Sequence, residues 1–517
     1  MANSFSRPES PALPSADPAG KTRTVCVAWF ALFIAGFTLY AATANRGAQW
    51  QDSGNHVLRV VTQQSVNPLG LALSHPLHHW LGRFAVSLNL FQPCFAVTLV
   101  SAWAAAIAVA NTFGSVWTLT RRWPAALFAA VSLAVAHTFW QMATLTETYT
   151  LAAALLSGES WCLIVYAKTR RPIYLWGALL LNGLGVSNHL LAALTTPVLM
   201  VVVLHGAWRK AIRLRDVAAA AGLWLLGAAP YGLMFLQEYV RTSDLGGTFH
   251  SALFGHEYRD DVLNTTISAW KLLISAAFVL LNFPNLLLPI AAYGIIHSSR
   301  LISSSLVRRA LLAGLVIHAV FVLRYPIVDQ HTFFLPMYAL VSIFSGIAFA
   351  EIYSWTRAIR RSVILTTAWG LSAFTPVLYA VLPDAARQYR VLESVEHRKP
   401  YRDDYVYIFT PWSIVERSAE RMSREAVTLA GANGIIVVEA WSDEFAVRYQ
   451  AFRAGYDQLQ IVNNLPDDAA REAVKTQRPV VLVPANKESP RTKLPVGAWQ
   501  RAGDLYLLGV RSSHDRF

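Results

Sequence analysis

Long apolar runs separated by short basic clusters are the feature that most limits what this sequence can fold into. A run of about 20 apolar residues matches the roughly 30 Å hydrocarbon core of a bilayer, and such runs recur over the first 383 residues. Hydrophobic residues make up 54% of the chain and charged residues 15%, which excludes a soluble enzyme with a single anchor. The sequence therefore predicts a mainly α-helical, polytopic membrane protein. Eleven spans are expected, at residues 25–44, 94–119, 123–142, 150–167, 173–187, 189–207, 217–238, 270–296, 310–323, 332–354 and 362–382.

The Lys and Arg clusters alternate with these runs, so they all fall on one side of the membrane. By the positive-inside rule that side is the cytoplasm. The clusters account for the net charge of +13, and no nucleic-acid partner is expected. We expect an integral protein of the inner (cell) membrane with a cytoplasmic N-terminus, in which residues 1–24, rich in Ser, Pro and Ala, form a disordered tail. The clusters are Lys21/Arg23, Arg121/Arg122, Lys168/Arg170/Arg171, Arg209/Lys210/Arg213/Arg215, Arg300/Arg308/Arg309 and Arg357/Arg360/Arg361.

The opposite side of the membrane receives most of the polar residues that lie between the runs. Ionisable residues at a membrane interface are costly unless they face protein or water, so a one-sided collection indicates a functional site. Taken singly, each can be a satisfied interfacial side chain, which is the favoured interpretation for His56, His250 and His256, and Asp52 can equally well be the end of a helix in a hydrated loop. The first external loop, residues 45–93, is the centre of the collection. The members of the whole one-sided collection are Asp52, His56, His75, His78, His79, Arg83, Glu147, Asn188, His189, Asp244, His250, His256, Asp329 and His331.

The character of the chain changes after Pro383. Strand-like runs alternate with helical stretches over residues 384–517, which predicts a small extracytoplasmic α/β domain beside the membrane domain of residues 25–383. No glycine-rich phosphate loop joins its first strand and helix, so a nucleotide site is not expected. Capping of the membrane site or binding of an acceptor is the expected role. The predicted strands lie at residues 434–439, 459–462, 480–483 and 505–510.

Several motifs of the membrane half, taken in order, resemble one family of integral membrane proteins. It is the family long labelled a domain of unknown function, DUF2723, which includes the transmembrane protein O-mannosyltransferases and belongs to the GT-C glycosyltransferases. The resemblance covers about residues 48–205, and residues 329–338 (DQHTFFLPMY) more weakly. The motifs are Asp52-Ser53-Gly54, His75-Pro76, Gly82-Arg83, Phe139-Trp140, Glu147-Thr148-Tyr149 and Gly185-Val186-Ser187-Asn188-His189.

The resemblance implies a GT-C-like membrane fold and transfer of a monosaccharide on the non-cytoplasmic face. It implies a polyprenyl-phosphate sugar as donor, with mannose the leading sugar, and a protein or envelope glycan as acceptor. Asp52 then occupies the position of the acidic residue that these enzymes use for catalysis. The segment Leu77-His78-His79 departs from the family, where many relatives have a sequence like Pro-Gly-Tyr, and this leaves the acceptor preference open.

The residues themselves fit this chemistry. A single carboxylate within reach of an acceptor hydroxyl serves as general base, and Asp52 is the candidate. Glu147 is the second catalytic candidate: it orients the acceptor or the loop, shares a metal with Asp52, or merely caps the helix that starts near Thr148. Arg and His side chains offer the donors that phosphate or sugar binding needs. The candidate substrate-binding residues are His75, Arg83, Trp140, Tyr149, Asn188, His189, Asp329 and His331.

A bound metal is left open by the sequence. Two close carboxylates and several imidazoles suit a divalent cation, but no spacing such as HExxH supports one. No other cofactor is expected.

A secondary transporter or lipid flippase is the alternative function, with Asp52, Glu147 and Asp329 as ion or proton sites. Transporters of the common folds contain internal repeats and place ionisable groups near the bilayer midplane. This sequence shows no repeat, and its charges collect at one interface. The enzyme interpretation is therefore the preferred one.

Overall fold

Helices dominate the first 388 residues of the computed structural model, which describes residues 18–355, 357–393, 399–486 and 499–508. Residues 1–17 of the predicted tail lie outside the described part, and the first helix begins at Pro18. Short 3-10 turns at Leu71–Leu73, Leu190–Leu194 and Gln330–Phe334 separate several of the helices. The helices are α1 Pro18–Thr43, α2 Gln51–Val61, α3 Pro76–Ser87, α4 Pro93–Thr120, α5 Trp123–Ala134, α6 His137–Thr144, α7 Tyr149–Thr169, α8 Pro172–Asn188, α9 Thr196–Trp208, α10 Leu214–Thr242, α11 Leu245–Phe254, α12 Arg259–Leu263, α13 Ala269–Asn282, α14 Leu287–Ile296, α15 Ser298–Leu301, α16 Ser305–Arg324, α17 Leu335–Tyr353 and α18 Ala358–Gln388.

The predicted membrane spans correspond to these helices. Among the described residues, eight helices are long and apolar enough to cross a membrane, and counting each of two bent pairs as one span gives ten. The bent pairs are α5 with α6, at 62°, and α13 with α14, at 109°. One predicted span, residues 173–187, is not among these ten. It is helix α8, whose 17 residues make it shorter than a straight span normally requires. The mainly helical, polytopic fold is confirmed, and the predicted count of 11 spans exceeds by one what helix length supports.

Close backbone contact between α8 and α10 fixes the end of α8 that leads to the site. A Cβ atom on Gly227 would lie 2.6 Å from the Leu180 carbonyl oxygen, so only glycine permits this approach. Ser187 donates a hydrogen bond of 2.8 Å to the Gly227 carbonyl. Small residues at such crossings are the usual basis of helix packing in membranes, where burial from water supplies no driving force between helices. The crossing thereby places Asn188 and His189 at a defined position.

The described residues of the C-terminal domain form a five-stranded mixed sheet with helices packed against it. The strand order is β2-β1-β3-β5-β4; β1 pairs in parallel with β2 and β3, and β5 pairs antiparallel with β3 and β4. The predicted small α/β domain is confirmed, and β4 is a strand that the sequence did not indicate. The elements are α19 Asp404–Phe409, α20 Ser418–Ala430, β1 Ile435–Val438, α21 Trp441–Ala454, β2 Gln460–Val462, α22 Asp467–Lys475, β3 Val480–Val483, β4 Trp499–Ala502 and β5 Leu505–Leu508.

The C-terminal domain lies directly on the first external loop. Trp50 stacks on Tyr401 with ring centroids 5.4 Å apart, and Phe445 of α21 packs in one apolar core with Trp50 and Val57. The Ala48 amide donates a 2.8 Å hydrogen bond to a carboxylate oxygen of Glu420. The loop that carries Asp52 is therefore held between the membrane helices and the C-terminal domain, as capping of the site requires.

Candidate active site

Helix α2 carries Asp52 in its first turn, immediately after the loop contacts made by Trp50. A carboxylate at this position is favoured by the unpaired amides and the positive end of the helix dipole. Asp52 lines a cavity of about 310 Å³. The local sequence thus places one half-buried carboxylate at a cavity beside the external loop.

Five of the residues predicted from the sequence line this cavity together, although they come from distant parts of the chain. Three of its imidazoles form a chain: the ring centroids of His56 and His75 are 5.5 Å apart, and those of His75 and His189 are 5.0 Å apart. The rest of the lining is mainly apolar and aromatic, with contributions from α11 and α16. The cavity therefore combines a cluster of polar side chains with an apolar lining. The predicted residues that line it are Asp52, His75, Tyr149, His189 and Asp329.

Glu147 lies behind this lining and is joined to α2 through Ser53. The Ser53 hydroxyl donates a 2.6 Å hydrogen bond to Glu147 Oε1. The Ser101 hydroxyl holds the Glu147 backbone, because it accepts from the amide and donates to the carbonyl, both at 2.9 Å. Since Ser53 follows Asp52 in the chain, Glu147 acts on the orientation of the first turn of α2. Its position is that of an orienting residue.

Asn188 ties the α8 end to the external loop. Its side-chain amide donates a 3.0 Å hydrogen bond to the Thr148 carbonyl. The backbone carbonyl oxygen of Asn188 lies 2.7 Å from His75 Nδ1. Because a carbonyl can only accept, His75 carries its proton on Nδ1 and presents an unprotonated Nε2. Asn188 thus fixes the tautomer of His75.

Besides Asn188, three predicted substrate-binding residues do not line the cavity. Arg83 is exposed on α3 and approaches Gln63 at 3.4 Å. His331 stacks on Phe278 with ring centroids 4.3 Å apart. Trp140 donates a 3.0 Å hydrogen bond to Thr43 and packs under the C-terminal domain. Substrate binding by Arg83, His331 and Trp140 stays a prediction for which the structure provides no contact.

Arg59 is the residue that the sequence interpretation missed. Its side chain is 1% exposed, and its guanidinium donates to the carbonyls of Ser74, at 2.9 Å, and of Ser65. Asp52, His56 and Arg59 are spaced i, i+4, i+7, which places them on one face of α2. That spacing was the available signal, but Arg59 stands among apolar residues and was not singled out.

Burial changes the charge states of the two carboxyl groups. Desolvation, then the charge of Asp329, raises the pKa of Asp52 to about 7, against the opposing effect of Arg59. Desolvation, then the charge of Asp52, raises the pKa of Glu147 to about 8. Near neutral pH, Asp52 is therefore close to half-ionised and Glu147 is mostly protonated. A group that titrates near the working pH is well suited to proton transfer.

The imidazoles are neutral for the same reason. Desolvation lowers the pKa of His75 to about 4, of His78 to about 3 and of His79 to about 4. Burial also lowers the pKa of Arg59 to about 10, so its guanidinium keeps its charge at neutral pH. Arg59 is thus the positive charge closest to Asp52 on α2.

The expectation of a divalent cation is not supported by a ready ligand set. Within the described ranges, no group of three or more His, Cys, Asp or Glu side chains is placed to hold a metal ion. A metal therefore stays an untested prediction, and no step below depends on one.

Comparison with known proteins finds one family model and a set of solved structures that are similar to this chain. Residues 52–212 match the family described as the Protein O-mannosyl-transferase TMEM260 N-terminal domain. The fold is similar to that of ArnT from Cupriavidus metallidurans in its apo state, at a TM-score of 0.58 and 13% sequence identity over 93% of this chain and 98% of ArnT. The ArnT structure bound to undecaprenyl phosphate gives a TM-score of 0.57 and 13% identity over 96% of this chain and 99% of ArnT. No curated protein sequence matches the chain significantly.

The family match and the motif resemblance agree over residues 52–212, and the similarity to ArnT shows a common fold. The ArnT similarity extends over nearly the whole of both chains, so it includes the membrane helices and the C-terminal domain. The family match covers the segment from Asp52 through α9, which contains most of the cavity's polar side chains. The resemblance drawn from the motifs is therefore confirmed.

Proposed function

We propose that the protein transfers a monosaccharide from a polyprenyl-phosphate carrier to a hydroxyl of a protein or envelope-glycan acceptor, on the non-cytoplasmic face of the membrane. The observation that carries the proposal is Asp52 in a cavity whose lining combines polar side chains with many apolar ones. Such a cavity matches a donor with a sugar phosphate at one end and a lipid chain at the other. Mannose is the leading sugar, on the strength of the matching family's description.

The apolar wall supports a lipid-linked donor. Leu253 and Phe254 of α11, Phe321 of α16 and Tyr325 all line the cavity. A site at this end of the membrane helices has no access to cytoplasmic nucleotide sugars, and the C-terminal domain has no glycine-rich phosphate loop. The similar ArnT fold was determined with undecaprenyl phosphate bound. An activated sugar therefore arrives on a lipid.

Phosphate binding falls to the histidine side of the cavity. His75 and His189 line it, with the fixed charge of Arg59 on the neighbouring helix. His75 presents an unprotonated Nε2, which cannot donate to a phosphate oxygen until it takes up a proton. A bound phosphate favours the charged imidazolium and offsets the desolvation that lowers the pKa of His75. Donor binding is therefore coupled to proton uptake at His75.

The transfer step follows from the position of Asp52. The acceptor oxygen attacks the anomeric carbon of the sugar, and its proton passes to the Asp52 carboxylate. The bond from that carbon to the phosphate oxygen breaks, and the electron pair leaves with the polyprenyl phosphate. A single displacement of this kind inverts the configuration at the anomeric carbon and has an oxocarbenium-like transition state. Because phosphate is a good leaving group, no second carboxylic acid is needed.

Donor choice is the test of this function. Purified protein in lipid is incubated with polyprenyl-phosphate sugars and, separately, with nucleotide sugars, and release of the carrier phosphate is measured. We expect turnover with the lipid-linked donors, fastest with the mannosyl lipid. Turnover with nucleotide sugars alone would overturn the donor class, and ion-dependent uptake into vesicles without any turnover would favour a transporter.

Substitution of Asp52 tests the base. Asp52→Asn keeps the size of the side chain and removes its basicity, so the transfer rate should fall by at least about 100-fold. Asp260→Asn is the matched control, since Asp260 is an exposed carboxylate on α12 that does not line the cavity. Thermal unfolding of both variants establishes that they fold. An Asp52→Asn variant with most of its activity would refute the assignment.

A further inference from the structure

A second cavity, of about 610 Å³, is lined mainly by residues of or next to α7, α9 and α16. The other ends of these helices lie at or next to the cavity that Asp52 lines, which we call the catalytic cavity. Helix α7 begins at Tyr149, which lines the catalytic cavity, and Arg170 follows its other end. Helix α9 follows the turn Leu190–Leu194 of the catalytic cavity and ends before Arg209. A helix of 20 residues is about 30 Å long, which is the thickness of the hydrocarbon core. The two cavities therefore lie at opposite faces of the bilayer.

Three guanidinium groups from three different helices line this second cavity: Arg170 after α7, Arg209 after α9 and Arg309 in the first turns of α16. We call them the arginine pocket. Arg170 hydrogen-bonds to the hydroxyl of Tyr166, and Arg209 lies over the ring of Trp208 at 5.2 Å. Among the described side chains, no carboxylate forms an ion pair with any of the three, and the cavity lining contains no acidic residue.

The start of α16 adds to the positive potential. Ser305 lines the cavity in the first turn of this 20-residue helix. Unpaired amides and the positive end of the helix dipole favour an anion there. The pocket therefore combines three arginine side chains with a helix N-terminus, and its chemistry is that of a phosphate site.

An apolar groove runs from the pocket towards the middle of the membrane. Its walls are Val198, Val201 and Val202 of α9 and Ala313 and Ile317 of α16. From Val198 to Arg209 is 11 residues of chain, or about 16 Å along a helix. That length is close to half of the roughly 30 Å hydrocarbon core, which is the depth of one leaflet. The groove matches the length of one acyl chain.

We propose that the arginine pocket and its groove bind an anionic glycerophospholipid of the cytoplasmic leaflet, with its phosphate among the arginines and one acyl chain between α9 and α16. Basic pockets between membrane helices on the cytoplasmic side are suited to such headgroups. The bound lipid closes the gap between the two helices whose other ends carry walls of the catalytic cavity. The site is separate from the transfer reaction, and its binding does not depend on the proposed donor or acceptor.

Lipid-dependent stability of the full-length protein tests the site. The protein is placed in nanodiscs of pure phosphatidylcholine or of an equimolar mixture with phosphatidylglycerol, and its Tm is followed by Trp fluorescence. In detergent, its affinity for dihexanoyl phosphatidylglycerol is measured by titration. We expect a higher Tm in the anionic nanodiscs. The triple variant Arg170→Gln/Arg209→Gln/Arg309→Gln should lose this shift. Its affinity for dihexanoyl phosphatidylglycerol should fall roughly 100-fold, since each basic residue at an anionic surface contributes about fivefold to the binding constant.

The matched control is Arg121→Gln/Arg215→Gln/Arg360→Gln. These three arginines lie at the same ends of the membrane helices but do not line the cavity, so the variant loses the same charge. It should keep the lipid-dependent shift in Tm. An equal loss in both triple variants would reduce the effect to general surface charge and overturn the proposal. Equal stabilisation by inorganic phosphate at the same concentration would also overturn it, because the groove would then contribute nothing.

Discussion

Asp52 combines exposure to the cavity with a raised pKa, and this combination makes its protonation state measurable. Desolvation is the main cause of the raised pKa, and the charge of Asp329 is the next. Only the ionised carboxylate can accept a proton from the acceptor. We therefore expect kcat/KM to be low at pH 5, to pass through its inflection near pH 7 and to reach a plateau above about pH 8. A pH–rate profile measured with a saturating donor shows the inflection.

Asp329 provides the means of assigning that inflection. Asp329→Asn removes a negative charge that favours protonation of Asp52, so the inflection should move to lower pH. Asp260→Asn, which removes an equal charge from the exposed surface of α12, should leave it in place. An inflection that is unchanged by Asp329→Asn would mean that another group titrates.

Burial of Glu147 is expected to lower the stability of the folded protein at alkaline pH. Its pKa is about 8 in the folded protein against an ordinary value of 4.5, so the folded state keeps a proton that the unfolded state loses. Stability from this group therefore falls as the pH rises from about 4.5 to 8 and stays low above that. At pH 9, Glu147→Gln should raise the free energy of unfolding above that of wild type by at least about 1 kcal/mol, since one pKa unit corresponds to about 1.4 kcal/mol.

The same substitution should lower activity less than Asp52→Asn does, because the glutamine carbonyl still accepts the Ser53 hydrogen bond that orients the first turn of α2. Thermal unfolding of both proteins in detergent at pH 5 and pH 9 measures the stability effect. At pH 5 both forms of the side chain are neutral, and the two proteins should differ little. A stability gain that is equal at both pH values would show that charge burial is not its cause.

At the scale of elements, the α8–α10 crossing is the feature that positions the polar wall of the cavity. Gly227→Ala should force the helices apart, because its Cβ would meet backbone atoms of Leu180 and Leu184 at 2.6 Å. Overpacking of this kind costs about 1–3 kcal/mol, and Asn188 at the end of α8 should shift with it. We expect a lower Tm and a raised KM for the donor.

Gly222 offers a control on the same helix. A Cβ atom at Gly222 would meet nothing within 4 Å, and Ala has the higher helix propensity, so Gly222→Ala should be neutral or slightly stabilising. If both alanine variants behaved alike, the backbone contact at Gly227 would not be what holds the crossing.

The elements show where the sequence was informative and where it was not. Apolar runs locate helices because length and hydropathy alone decide a membrane span, and strands β1 and β3 were evident because both are wholly buried. Strand β4 contains two consecutive exposed polar residues, Gln500 and Arg501, and gave no apolar signal.

The candidate site was predicted as a set of residues on one side of the membrane, but the rotation of each helix was not. Arg83 follows the buried Gly82 by one position, which turns it about 100° around α3 to the exposed face. The apolar wall from α11 and α16 went unrecognised, since Leu253 and Phe321 have no pattern that distinguishes them from lipid-facing residues. Only packing reveals which apolar side chains face a cavity.

At the scale of the whole molecule, the contact between the C-terminal domain and the external loop connects the stability of the domain to the position of Asp52. Asp443 is fully buried, pairs with Lys399 and accepts a hydrogen bond from Tyr401. Lys399 also lies 5.5 Å from the ring centroid of Trp50, the residue that precedes α2. This group links the C-terminal domain to the helix of Asp52 through one aromatic side chain.

Asp443→Asn should therefore act on both stability and activity. It leaves the ammonium group of Lys399 buried beside a neutral amide, and breaking a buried pair in this way costs about 3–5 kcal/mol. We expect faster protease cleavage between α18 and α19 and a lower kcat, while donor affinity at the apolar wall changes little. Asp467→Asn, at an exposed position of the same domain, should change none of these. If Asp443→Asn weakened the domain but left kcat intact, the domain would not serve to hold Asp52 in place, because its loosening would then reach neither α2 nor the cavity.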